Sequence, residues 1–144
     1  MTQGLILAAV QAMCLLLLLV GTAPVDAVRP VAAVLVAAAA AAGAWALSTM
    51  GLRHLRMTPD VARGAPLLRH GPFRFVRHPM YLSVLVGVAG LLVQRFSWAR
   101  AALAALLVAD LALKIRIEER RLSERFPDYE AYRRRTRRIV PWVL

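Results

Sequence analysis

The residues best suited to chemistry in this sequence form two short clusters. Arg77, His78 and Tyr81 lie close together at the end of an Arg-rich stretch, and a glutamate pair, Glu118-Glu119, follows later in the chain. Guanidinium, imidazole and phenol groups donate hydrogen bonds, whereas carboxylates only accept them. Together they suit a ligand with both an ammonium and a carboxylate, in which the glutamates pair with the ammonium and Arg77 or His78 with the carboxylate.

Two apolar runs, 79–94 and 98–113, separate these clusters, with only three residues between the runs. A linker this short predicts a helical hairpin. His78 precedes Phe96 by as many residues as Lys114 follows it. Because helix length is proportional to residue number, His78 and Lys114 should lie at similar depth. The hairpin should therefore bring both clusters to one groove at the boundary between membrane and cytosol.

The whole composition favours a membrane protein. Hydrophobic residues make up 60% of the 144-residue chain, and they gather in long uncharged runs, as bilayer spans require. Gly43 and the many alanines of the second run should let a neighbouring helix approach closely. We predict a single all-α integral membrane domain, 1–144, with four transmembrane helices at about 4–23, 29–51, 79–94 and 98–126 and a cytoplasmic tail helix at 128–135.

The distribution of cations predicts the orientation. Segments 51–78 and 114–144 contain sixteen of the nineteen Lys and Arg residues, and the opposite side has only Arg29, Arg95 and Arg100. The positive-inside rule then places both termini in the cytoplasm of a bacterial-type cytoplasmic membrane, with Arg95 and Arg100 snorkelling to the far interface. The first run lacks a basic n-region, so we expect it to remain uncleaved. The net charge is +11, but the cations flank apolar runs and no nucleic-acid recognition motif accompanies them. This argues against nucleic-acid binding.

Asp110 is unusual because it lies inside the fourth apolar run, where a charge is costly. Lys114 and Glu118 follow at helical spacing, so the three side chains could form a ladder. Asp110 is then either part of a buried ion pair that locks the hairpin or a substrate contact. No metal is expected, since the spacing of His54, His70 and His78 resembles no known ligand pattern.

The motifs around these residues resemble the isoprenylcysteine carboxyl methyltransferase family and its phospholipid methyltransferase relatives. The resemblance covers about residues 69–142. It rests on His70-Gly71-Pro72-Phe73, Val76 to Tyr81, Glu118-Glu119, Leu122, Phe126, Tyr129, Tyr132, Arg138 and Pro141. Thr136, Pro127-Asp128 and the Arg133-Arg134-Arg135 run depart from the family pattern.

The resemblance implies S-adenosylmethionine-dependent methyl transfer to a lipidic, prenylated or other hydrophobic acceptor that enters from the bilayer. The tail 128–142 would close over the site. The implied cofactor-binding residues are His70, Arg77, His78, Pro79, Tyr81, Glu118 and Glu119. Glu119 and Arg138 are the candidate catalytic residues, and Tyr129 and Tyr132 are candidate substrate contacts, although both could be interface aromatics.

Two alternatives to this function stay open. One is a phospholipid amine N-methyltransferase, and the other is a membrane scaffold whose basic tail binds lipid or a partner. An amine acceptor must lose a proton before it attacks, whereas a carboxylate needs no base. No residue is an obvious base, which leans slightly towards a carboxylate acceptor, or towards thiol and amine acceptors that are ionised by other means. The oligomeric state cannot be read from this pattern.

Overall fold

The computed structural model describes residues 2–20, 28–51 and 67–139, and every regular element in these ranges is helical. In chain order they are α1 (Thr2–Val20), α2 (Pro30–Met50), a short 3-10 helix (Gly71–Arg74), α3 (Pro79–Gln94), α4 (Trp98–Arg125) and α5 (Tyr129–Arg135). The all-helical class is confirmed, and the predicted helix boundaries agree to within a few residues wherever the chain is described.

Local signals explain where these helices begin. Pro30 and Pro79 each occupy the first turn of a helix, where the missing amide proton costs no hydrogen bond. Ser97 caps α4, since its hydroxyl accepts a hydrogen bond from the backbone amide of Arg100 at 3.2 Å. The starts of these helices therefore follow directly from the sequence.

The helices pack mainly as two pairs, α2 with α3 and α1 with α4. Small residues explain the first pair, as expected for Gly43. A Cβ atom at Gly43 would lie 3.2 Å from the Ser83 hydroxyl, and one at Gly90 would lie 2.9 Å from Val36. Helices α3 and α4 do form the expected hairpin, but each packs more extensively on its other neighbour.

One described helix, Pro30–Met50, is long and apolar enough to cross a membrane. Gly4–Val20 and Pro79–Gln94 form shorter apolar helices. The four spans and their orientation stay predictions.

Two arginines cap the ends of helices. The charge pattern places both of them on the side opposite the tail. Arg100 was expected to snorkel to the interface, but it is buried and its Nη2 donates to the Leu18 carbonyl at 2.7 Å. Arg29 Nη1 donates to the Val93 carbonyl at 3.0 Å. The last carbonyls of a helix lack intrahelical partners, so a guanidinium there satisfies them and complements the helix dipole.

Asp110 and Lys114 form a buried ion pair at 3.4 Å. Lys114 also donates to the Gln11 side chain on α1. The pair therefore joins α4 to α1. The expected ion pair would instead have locked the hairpin of α3 and α4. No contact with Glu118 extends it into a ladder in the described part of the chain, because the lysine ammonium points towards α1.

We expect Asp110→Ala to destabilise the fold by about 3–5 kcal/mol, because it leaves the Lys114 ammonium buried without its carboxylate. The double variant Asp110→Leu with Lys114→Met should lose far less, since both charges are removed together. Thermal unfolding of the purified variants in detergent measures both. Equal losses for the single and double variants would contradict the pairing.

Candidate functional site

The segment before α3 is held against the end of α2 by close backbone packing. Gly71 begins the 3-10 helix with a φ of 59°, in the left-handed region. A Cβ atom there would lie only 2.5 Å from the hydroxyl of Thr49. Thr49 itself is fixed because its hydroxyl donates to the Trp45 carbonyl at 2.9 Å. Only glycine fits this position, so the approach of the segment to α2 depends on Gly71.

The tail returns to lie beside this segment. Val76 and Arg137 form an isolated parallel bridge. The amide of Arg77 donates to the Arg137 carbonyl at 2.7 Å, and the amide of His78 to the Arg138 carbonyl at 3.0 Å. These bonds place the tail directly beside the residues that begin α3.

Helix α5 adds a second attachment to the segment through its buried tyrosines. The Tyr132 hydroxyl donates to the Phe73 carbonyl at 2.7 Å. Burial is the main cause that raises the pKa of Tyr132 to about 12. Burial also raises the pKa of Tyr129, and the charge of Glu119 adds to that rise. Both phenols are therefore neutral at physiological pH.

Glu119 lies at the centre of a buried ion network. Its Oε1 accepts from Arg77 Nε at 2.8 Å, and its Oε2 accepts from Arg138 Nε at 3.0 Å. Arg77 Nη1 also donates to the carbonyls of Thr136 at 2.6 Å and Arg133 at 3.1 Å. One guanidinium therefore connects α4 with the end of α5.

The surroundings of Glu119 control its ionisation. Burial raises its pKa, but the neighbouring His78 and Arg77 side chains outweigh that effect and hold the pKa at about 2. The carboxylate is ionised at physiological pH and is too weak a base to take up a proton there.

Glu118 has different surroundings, although it is the next residue. Its Oε2 accepts from the Tyr81 hydroxyl at 3.1 Å and lies 3.7 Å from His78 Nδ1. The Glu118 side chain is 30% exposed, compared with 9% for Glu119. The His78 ring stacks on Tyr81 at 5.5 Å and lies between the two carboxylates.

Two buried polar atoms at this site have no hydrogen-bond partner among the described residues. They are His78 Nε2 and the Tyr129 hydroxyl. A buried polar group without a partner costs about 1–3 kcal/mol. A ligand or water that supplies the missing partners would be stabilised here. Together with the accessible Glu118 carboxylate and the half-exposed Arg138 guanidinium, these atoms fit the charged amino-acid end of S-adenosylmethionine.

The structure brings most of the predicted site residues together: Arg77, His78, Pro79, Tyr81, Glu118, Glu119, Tyr129, Tyr132 and Arg138. His70 is exposed at the start of the 3-10 helix and makes no hydrogen bond or ion pair with Glu118 or Glu119 in the described residues. Asp110 lies in the α1–α4 interface. His54 and Pro141 fall outside the described residues.

Sequence reasoning missed what Arg77 and Thr136 do. Either Arg77 or His78 was expected to pair with a ligand carboxylate, but the Nε and Nη1 atoms of Arg77 bond to protein oxygens. Thr136, noted only as a departure, supplies one of those oxygens from a buried position. No pattern of residue types marks a backbone carbonyl as an arginine acceptor, so the sequence contains no signal for this contact.

We expect Gly71→Ala to lower the free energy of unfolding by about 2 kcal/mol, because alanine resists a positive φ and its methyl group would collide with Thr49. Gly87→Ala is the matched control, since its new Cβ would lie an ordinary 3.5 Å from Ala39. Thermal unfolding should show a loss for Gly71→Ala and none for Gly87→Ala. The reverse order would contradict the close approach at Thr49.

The ion network also predicts a dependence of stability on pH. The pKa of Glu119 is lower in the fold than its ordinary 4.5, so its contribution is complete above pH 4.5 and is lost as the pH falls towards 2. That contribution amounts to about 3 kcal/mol. The unfolding temperature of the wild type should fall more steeply over this interval than that of Glu119→Gln. Parallel slopes would show that Glu119 is not the group responsible.

Two curated relatives are similar to this chain over 96 residues. The nickel-cobalt-cadmium resistance protein NccN from Alcaligenes xylosoxydans xylosoxydans is 32% identical, and the cobalt-zinc-cadmium resistance protein CzcN from Cupriavidus metallidurans is 33% identical. The matches cover 66% of this chain but only 45% and 44% of those proteins. The chain thus spans about half the length of the relatives it matches. The search of solved structures found no match.

The model of the isoprenylcysteine carboxyl methyltransferase family matches residues 31–124. The matched range includes α2, which the motif resemblance over 69–142 did not include, and it ends before the tail. Both His78-Pro79-Met80-Tyr81 and Glu118-Glu119 lie inside it. Since the match covers well over half of the residues, the chain belongs to the isoprenylcysteine carboxyl methyltransferase family.

Proposed function

We propose that this chain is an S-adenosylmethionine-dependent methyltransferase that acts on a lipidic or membrane-embedded acceptor. The observation that carries the proposal is the accessible Glu118 carboxylate, which lies 3.7 Å from His78 Nδ1, beside a ring whose buried Nε2 has no hydrogen-bond partner among the described residues. Membership of a membrane-associated methyltransferase family supports the reaction class.

The charges at the site support binding of a zwitterionic ligand end. The accessible carboxylate of Glu118 provides negative charge towards an ammonium, and the half-exposed Arg138 can pair with a carboxylate. Tyr81 orients Glu118 through its hydroxyl, and Pro79 fixes the start of the helix that presents both His78 and Tyr81. Tyr129 and Tyr132 line the tail side as candidate substrate contacts.

Bound S-adenosylmethionine would supply the methyl group: the acceptor would bond to the methyl carbon in line with the breaking carbon–sulfur bond, and S-adenosylhomocysteine would leave. The chain's contribution is to hold both reactants and exclude water. Carboxylates near the sulfonium would stabilise its charge before transfer and slow the reaction, so Glu118 and Glu119 belong at the ammonium end. With Glu119 held ionised at a pKa of about 2, an acceptor that is already anionic, such as a carboxylate, fits best.

The proposed setting is a multi-pass protein of the cytoplasmic membrane, with the site at its cytosolic face. The amphipathic C-terminal half of α4 and the Arg-rich tail support this placement. The relatives are named for resistance to nickel, cobalt, zinc and cadmium. In the described ranges no group of three or more His, Cys, Asp or Glu side chains could hold a metal ion.

The decisive measurement is binding of S-adenosylhomocysteine to the detergent-purified protein. We expect saturable binding that His78→Ala weakens at least about tenfold, the loss of one hydrogen bond to a charged group. Glu124→Gln is the matched control, because Glu124 lies on the same helix and pairs only with the exposed Arg120 in the described contacts. Absence of binding by a folded wild type would overturn the proposal.

The same preparation can identify the type of acceptor. Labelled methyl groups from S-adenosylmethionine should enter the lipid fraction of membranes that contain the protein. Release of that label as methanol on mild alkaline treatment indicates a methyl ester. Label that resists alkali indicates an N-methylated headgroup and would favour the phospholipid amine alternative.

A further inference from the structure

Two consecutive glutamates on α4, Glu118 and Glu119, contact different groups of residues. Successive side chains of a helix point about 100° apart, so neighbouring carboxylates can face different surroundings. Glu118 contacts His78 and Tyr81, which are both near the start of α3. Glu119 contacts Arg77 and Arg138, and through Arg77 it is connected to the end of α5.

We propose that the two glutamates have separate tasks. This inference rests on the proposed function: Glu118 binds the cationic group of the ligand, and Glu119 is a positioning residue that holds the tail 128–139 over the site. Neither the family match nor the pairing of the two residues in sequence distinguishes these roles.

The balance of charge supports the role of Glu118. Both oxygens of Glu119 accept from guanidinium groups, so its negative charge is already compensated twice. An ammonium that approached Glu119 would meet two cations. No Lys or Arg of the described residues pairs with Glu118. Its Oε2 accepts from the neutral Tyr81 hydroxyl and lies 3.7 Å from His78 Nδ1. Its accessible carboxylate therefore retains the charge that an ammonium needs.

The route of the contacts supports the role of Glu119. Arg138 is a tail residue, and its Nε bonds directly to Glu119 Oε2. Arg77 reaches the tail twice more, through the carbonyls of Arg133 and Thr136. These carbonyls lie at the C-terminal end of α5, where backbone oxygens lack helical partners. Without Glu119, the buried Arg77 guanidinium would lose its counterion and the tail would lose a direct ion pair.

The tail also contains its own reporter, because trypsin cleaves after arginine and the tail has Arg133, Arg134, Arg135, Arg137 and Arg138. Trypsin requires a locally unfolded segment, so the rate of cleavage follows the population of the open tail. The experiment compares wild type, Glu118→Gln, Glu119→Gln and the control Glu124→Gln, each purified in detergent. Tail cleavage is measured without ligand, and affinity for S-adenosylhomocysteine is measured separately.

We expect Glu119→Gln to accelerate tail cleavage at least about tenfold, with Glu118→Gln and Glu124→Gln the same as wild type. Glu118→Gln should instead weaken S-adenosylhomocysteine binding about ten- to hundredfold, the loss expected for a charge-assisted hydrogen bond. Faster cleavage in Glu118→Gln, or a tail as protected in Glu119→Gln as in wild type, would overturn the division of roles.

A second variant covers the case in which Glu119→Gln does not fold. Arg138→Gln removes the half-exposed arm of the same network and should also accelerate cleavage after Arg133 to Arg135, while Arg134→Gln, at an exposed position paired with Glu130, should not open the tail. A wild type that binds no S-adenosylhomocysteine would overturn the proposed function and the ligand role of Glu118. The role of Glu119 is decided by the cleavage rates alone.

Discussion

The contact between Arg77 and Glu119 is the interaction on which the rest of the site depends. Both side chains are buried, and each would be costly to bury alone. Arg77 can remain buried because Glu119 and two backbone carbonyls accept its donors. The same bonds determine where α5 ends and how the tail lies beside the start of α3. They also determine the direction in which Glu118 faces.

Around this pair, the site combines fixed charges with neutral donors. Burial raises the pKa values of the Tyr129 and Tyr132 phenols, so both are donors that add no charge, and the Tyr132 hydroxyl donates to the Phe73 carbonyl. Inside the network two guanidinium groups face the single carboxylate of Glu119, and the carboxylate of Glu118, which no guanidinium contacts in the described residues, lies at the accessible edge. This arrangement suits the charged ligand end and the hydrophobic acceptor that we propose.

The helices and the meeting of the two motifs could be predicted, because apolar runs, prolines and the short linker limit the chain to few arrangements. Counting residues along the hairpin placed His78 and Tyr81 opposite the glutamate pair, and the structure has these contacts. The inward turn of Arg77 could not be predicted, since it depends on a bridge between Val76 and Arg137. The capping role of Arg100 was missed because charge counts say nothing about which helix end lies nearby.

The bridge between Val76 and Arg137 has a consequence for biosynthesis. The residues it joins are separated by the whole α3–α4 hairpin and by α5. During translation the first motif emerges well before its partner, and loop closure must wait until the tail has left the ribosome. These tail contacts can therefore form only after α3, α4 and α5 have been synthesised. A chain that stops before Arg137 would contain the helices but not the bridge.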